Sequence, residues 1–175
     1  MKFYSYKYKV STTPEKAFDY FSNKEYLVKY FSQKEKDKIV ILSENMRSKI
    51  IEGEEIKLLV REEDYSLQIV VKVEEIIDRE LIRYNLEFSE NIVSKNYEDT
   101  EQYEDFISLM KKLGGFQIVS KVEFIPQEEH LLIREYSEVL VNKIWKKILW
   151  KIIGLHFQLK QRNIHKLVKM ELEKE

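Results

Sequence analysis

The chain has 175 residues, 43% hydrophobic and 35% charged, which is enough for one domain (1–175) with a core of its own. It contains no cysteine, which excludes a disulfide framework, a thiolate metal site and a cysteine nucleophile. Its net charge of −1 hides segregation: 11 basic against 6 acidic residues in 1–51, 10 against 22 in 52–138, and 9 against 3 in 139–175. Either this asymmetry marks a partner surface, or acidic strand faces lie beside basic helices within one fold.

Lys2–Val10 alternates Tyr4, Tyr6, Tyr8 and Val10 with Ser5, Lys7 and Lys9, the period of a half-buried strand. It lacks the apolar run of a signal peptide, and no stretch approaches the ~18 apolar residues of a membrane span. These features and the missing cysteine predict a cytoplasmic protein. Thr13 and Pro14 announce a helix with Ala17, Phe18 and Phe21 on one face. Ser22 and Asn23 break it, and Tyr26, Leu27, Tyr30 and Phe31 predict a second short helix.

Strands follow at Ile39–Leu42, from Gly53 through Ile56, Leu58 and Val60, through Leu67, Ile69, Val71 and Val73, and through Ile82, Tyr84, Leu86 and Phe88. The links at Asp64–Ser66 and Asp78–Arg79 are short enough for antiparallel hairpins. Residues 89–115 break the pattern. The spacing of Tyr103, Phe106, Ile107, Met110 and Leu113 predicts a helix that Thr100 could cap and Gly114–Gly115 would end. Phe116, Ile118, Ser120, Val122 and Phe124 form the next strand face. Then comes either Leu131 and Ile133 or Leu132, Arg134 and Tyr136, after a turn at Pro126–Glu129. From Asn142 to Glu173 only Gly154 interrupts a helix that would run to roughly 48 Å.

A strand, two short helices, six strands and a long terminal helix is an informative order. With Val10-Ser-Thr-Thr-Pro14-Glu-Lys-Ala17-Phe18 at the first strand-to-helix entry, Gly53 opening a strand, and Ile164–Glu171 at the end, the chain resembles the START-like (Bet v 1-like) superfamily. This group includes the polyketide cyclase/dehydrase and lipid-transport proteins. The resemblance implies an α+β helix-grip fold, a bent seven-stranded antiparallel sheet wrapped around the terminal helix. The chain departs from it by placing a helical insert, 89–115, between the fifth and sixth strands. The resemblance further implies binding or transport of an apolar small molecule or lipid in an internal cavity. Its alternatives are a protein-interaction module of the co-chaperone kind and a cyclase-like enzyme.

On a helical wheel the terminal helix shows a wide apolar arc of Trp145, Ile148, Leu149, Ile152, Leu155 and Leu159, with Lys147, Lys151, Gln158, Arg162, His165 and Lys169 opposite. The arc is expected to face the cavity. His156 and Asn163 interrupt it, and either orient a polar ligand group or are core residues bonded to a strand. Tyr84 and Tyr136, with Tyr4, Tyr6 and Tyr8, either offer hydroxyls to the same cavity or pack with one wet end. Lys143–Gly154 interleaves Trp145 and Trp150 with Lys143, Lys146, Lys147 and Lys151. That pattern suits transient contact with an anionic membrane surface, or else a core helix with a lysine rim. The insert either forms a lid with Phe106, Ile107 and Met110 toward the ligand or caps one end of the sheet.

His130, His156 and His165 lack metal-site spacing, no glycine-rich phosphate loop occurs among four glycines, and no serine sits in a nucleophile elbow. No metal, no cofactor and no catalytic set are expected. Were the chain a cyclase-like enzyme, His156 would be the first residue to test, then Arg134 or Tyr136. The acidic middle of the chain argues against nucleic acid.

Overall fold

A computed structural model describes residues 1–31, 39–42, 48–61, 66–88, 108–109, 112–113 and 117–174. Lys2–Val10 forms β1, Pro14–Phe21 α1, Lys24–Phe31 α2, Ile39–Ile41 β2, Glu55–Arg61 β3, Ser66–Ile77 β4, Leu81–Phe88 β5, Gln117–Pro126 β6, Leu131–Val139 β7, and Ile144–Leu172 α3. All neighbouring strands are antiparallel, in the order β1-β7-β6-β5-β4-β3-β2. Sequence neighbours are therefore sheet neighbours from β2 to β7, and the one distant pairing joins β1 to β7. A register shift between Val73 and Glu75 interrupts the β4–β5 ladder, the kind of irregularity that lets a sheet bend.

Alternation sets the inner face. Ile56 and Leu58, Val71 and Val73, Ile82, Val122 and Phe124, and Leu131 and Ile133 are all buried. α1 begins as its sequence dictates, with the Thr13 hydroxyl oxygen accepting the Lys16 N–H at 3.2 Å and Pro14 at the first position. Ala17 and Phe21 bury its inner side, and Phe21 meets the Phe124 ring at 5.4 Å. The α1–α2 junction is tied down by Lys24 N–H donating to the Ser48 carbonyl and Ile50 N–H to that of Ser22, both at 2.8 Å.

α3 has 29 residues, about 43 Å of helix, and runs along β1. Trp150 packs on Phe3 with ring centroids 4.8 Å apart, Gln158 donates to the Ser5 carbonyl at 3.2 Å, and the Ser11 N–H donates to Glu173 at 3.0 Å. Near the far end Glu171 accepts from Tyr20 at 2.6 Å and from Lys29 at 2.8 Å. Gly154 makes the crossing possible. A Cβ there would overlap the Phe3 carbonyl oxygen and sit 2.7 Å from its carbonyl carbon, so only glycine allows this approach.

The helix is turned half around from the sequence expectation. Its buried stripe is Trp150, Gly154, Gln161, Ile164, His165, Val168 and Leu172. Ile148, Leu149, Ile152, Leu155 and Leu159, predicted to face inward, are exposed on the opposite side. The helix carries two apolar stripes, and the wheel favours the broader one. The protein packs the one containing Gly154, because only there can the helix backbone reach β1.

Residues 108–109 and 112–113 are helical, and buried Leu113 accepts the Trp150 indole N–H at 3.4 Å. Thr100, Tyr103, Phe106, Ile107 and Met110, and with them most of the predicted insert, lie outside the described residues. No helix among the described residues is long and apolar enough to cross a membrane.

Candidate functional site

β7 places Ile133, Glu135, Ser137 and Val139 on its inner face, so one carboxylate enters an apolar register. Glu135 is only 3% exposed. Burying a charge without partners is costly, and the neighbouring elements supply them. Tyr8 of β1 donates to Glu135 Oε1 at 2.8 Å, and Tyr26 of α2 donates to Oε2 at 3.2 Å. His165 of α3 brings Nε2 to 3.4 Å from Oε2 and to 3.0 Å from the Tyr4 hydroxyl. Its ring stacks on Tyr6 at 4.1 Å. Four elements therefore converge on one buried polar cluster.

The electrostatics follow from burial. The Tyr8 phenol is pushed well above its ordinary range, first by burial and then by the charge and hydrogen bond of Glu135. Tyr84 is raised by burial and, secondarily, by the same charge. Both phenols therefore stay protonated and act as donors. Tyr84 donates to the Phe21 carbonyl at 3.3 Å, which fastens β5 to the end of α1.

A cavity of about 20 Å³ adjoins the cluster, bordered by Tyr26, Leu27, Tyr84, Leu86, Val122 and Glu135 among others. It has room for about one water. Ser120 and Ser137 meet at 2.7 Å along its wall. A wider hollow between α1 and the β4–β5 turn is a surface feature whose Arg79 and Glu15 are paired at 2.9 Å. Among the described residues no group of three or more His, Asp or Glu is placed to hold a metal ion.

The predicted site residues separate. Tyr84 borders the cavity, and Asn163 is exposed. Tyr136 also borders it, but its hydroxyl lies on the outer face, donating to Glu123 at 2.8 Å with Lys2 3.9 Å from the ring centre. Burial first, and then Glu123, lift that phenol to about 12. Arg134 shares the outer face and pairs with Glu123 at 3.0 Å. The His156 side chain, Phe106 and Met110 lie outside the described residues. Glu135 and His165 escaped the sequence reading. A signal existed for each: Glu135 is the charge in the Leu131, Ile133, Ser137, Val139 register, and His165 belongs to the Trp150, Gly154, Val168, Leu172 stripe.

No protein-family model and no curated protein sequence matches the chain. Solved structures do. A protein of Arthrobacter aurescens superposes with a TM-score of 0.62 at 8% identity, over 96% of this chain and 84% of that one. One from Rhodobacter sphaeroides gives 0.61 at 7% identity, over 96% and 89%. The Aha1 dimer from Colwellia psychrerythraea gives 0.50 at 11% identity, over 97% and 95%. The chain has the START-like, helix-grip fold. Within that fold the Glu135 cluster sits where β1, β7, α2 and α3 meet, on the inner side of the sheet.

Proposed function

We propose that the chain binds a small, largely apolar molecule carrying one hydrogen-bonding group, on the inner side of the sheet beside α2. The observation that carries this reading is Glu135, a buried carboxylate bordering a cavity whose other walls include Leu27, Leu86 and Val122. Even with hydrogen-bonding partners a buried carboxylate costs a packed interior more than an apolar side chain would, and departures of this kind concentrate at sites of recognition. The apolar walls would take the hydrocarbon of the ligand, while Glu135 with the Tyr84 hydroxyl would hold its polar group. A cavity of about 20 Å³ is far below the roughly 300 Å³ at which small-molecule sites begin. Binding therefore requires Tyr26 and Leu27 of α2 to swing aside.

Native mass spectrometry of the purified protein, before and after incubation with a mixed lipid extract, tests this reading. The expected result is a bound species that is released on denaturation. Glu135→Gln should weaken its binding about ten-fold, the loss of a charge-assisted hydrogen bond. An unliganded mass under all conditions would overturn it.

A further inference from the structure

The stripe of α3 that the sheet leaves uncovered has a chemistry of its own. Ile144, Trp145, Ile148, Ile152, Leu155 and Leu159 are exposed, from 50% for Trp145 to 76% for Ile144. At 3.6 residues per turn the stripe is centred about 150° from the buried one and extends about 22 Å. Contiguous apolar surface of this kind marks a contact site. Its charge has one sign: residues 142–170 hold seven Lys, one Arg and no acidic residue. Lys147 and Lys151 are exposed along one edge of the stripe, about 110° and 70° from its centre, and exposed Arg162 and Lys166 continue its line past Leu159, whereas Lys143 and half-exposed Lys146 lie about 150° away.

We propose that this face of α3 docks on an anionic lipid surface. The helix axis lies in the membrane plane, the apolar stripe sinks to the acyl boundary, and the lysines meet the headgroups. Charge selects this occupant. A two-fold pair of copies joined through the same face would set lysines against lysines, whereas an anionic bilayer supplies both the opposite charge and an apolar layer. Trp145, at the first turn of α3, is amphipathic and suited to the headgroup level. None of the six apolar residues borders the Glu135 cavity, so this proposal stands or falls separately from the one above.

The test uses the full chain with vesicles of phosphatidylcholine alone and of equimolar phosphatidylcholine and phosphatidylglycerol. Co-sedimentation with the anionic vesicles only, weakened by salt, is expected. Tryptophan emission should shift to the blue on binding. Trp145→Phe should remove that shift, because Trp150 is already buried. Replacing Lys147, Lys151 and Lys166 in turn by Gln should lower partitioning about five-fold per residue, the factor that about 1 kcal/mol gives. Ile148→Ser with Ile152→Ser and Leu155→Ser should abolish binding with the thermal midpoint kept; should that variant unfold, the lysine series decides. Absence of binding to anionic vesicles overturns the proposal. So does a dimer in lipid-free buffer that the triple serine variant converts to monomer, since a second copy would then be the occupant.

Discussion

Gly154→Ala pits two rules against each other, and their signs differ. Alanine inside a helix is favoured over glycine by up to about 1 kcal/mol, so propensity alone predicts a more stable protein. Packing predicts the reverse. The new Cβ would overlap the Phe3 carbonyl oxygen and lie 2.7 Å from the carbonyl carbon and 3.3 Å from ring Cδ2. Ordinary carbon contacts begin near 3.5 Å, so α3 must retreat on the order of 1 Å. The obstacle is backbone in a paired strand, which cannot rotate away as a side chain can. Retreat also loosens the Trp150–Phe3 ring contact at 4.8 Å, one turn along. Overpacking of this kind costs about 1–3 kcal/mol, and a rigid obstacle belongs at the upper end. Net of propensity, the loss is about 2 kcal/mol, a fall of about 4–8 °C in thermal midpoint for a chain of this length. Thermal and urea unfolding followed by circular dichroism measure it. A variant as stable as the parent, or more so, would refute the close crossing of α3 over β1.

Two further expectations follow from buried polar groups. Tyr8, Tyr20 and Tyr84 are all raised above their ordinary value, by burial first and then by Glu135 or Glu171, so the folded chain keeps protons that the unfolded chain loses above about pH 10. Their contribution to stability is complete below that pH and is lost as pH climbs through the folded values. Tyrosinate absorbance and circular dichroism recorded together should show the last phenols ionising only as the fold is lost; complete ionisation with the fold intact would contradict this. Lys24 and Glu54 pair at 2.6 Å with side chains 5% and 9% exposed. Lys24→Met should cost about 3–5 kcal/mol in urea unfolding by stranding the carboxylate, and adding Glu54→Gln should recover most of it. Equal midpoints for the single and double variants would refute the coupling.

The architecture was largely legible in the sequence because period-two and helical patterns are local. Tyr4, Val10, Ile82, Phe124 and Leu131 all lie in strands at the predicted places, and Thr13–Pro14 caps α1 as read. Orientation was harder. α3 has two apolar stripes, and a wheel weighs their width but knows nothing of the neighbour. Which stripe packs depends on Gly154 against the Phe3 backbone, a fact about β1 rather than about the helix. The register of β7 was equally open to Leu131–Ile133 inward or Arg134–Tyr136 inward. Pairing settles it by setting Ile133 and Glu135 opposite Tyr8 and Tyr6. Glu135 then becomes an interior residue whose partners lie 109 and 127 positions away, at Tyr26 and Tyr8. No local pattern contains such a cluster.

The pairing of β1 with β7 also governs the order in which the chain can fold. Lys2–Val10 leaves the ribosome before the other strands of this sheet, yet its ladder partner is Leu131–Val139 and its covering helix is Ile144–Leu172. The hairpins of β3, β4 and β5 can zip up as they are made, because each closes a short loop. β1 must wait until β7 and α3 have been synthesised, since the Tyr4–His165 contact spans 161 residues. Long loop closure is slow, and a waiting tyrosine-rich strand presents unpaired backbone throughout. Closing the sheet is thus the capture of its first strand made, and the Glu135 cluster, which needs Tyr4 and Tyr8 from that strand, is completed only then.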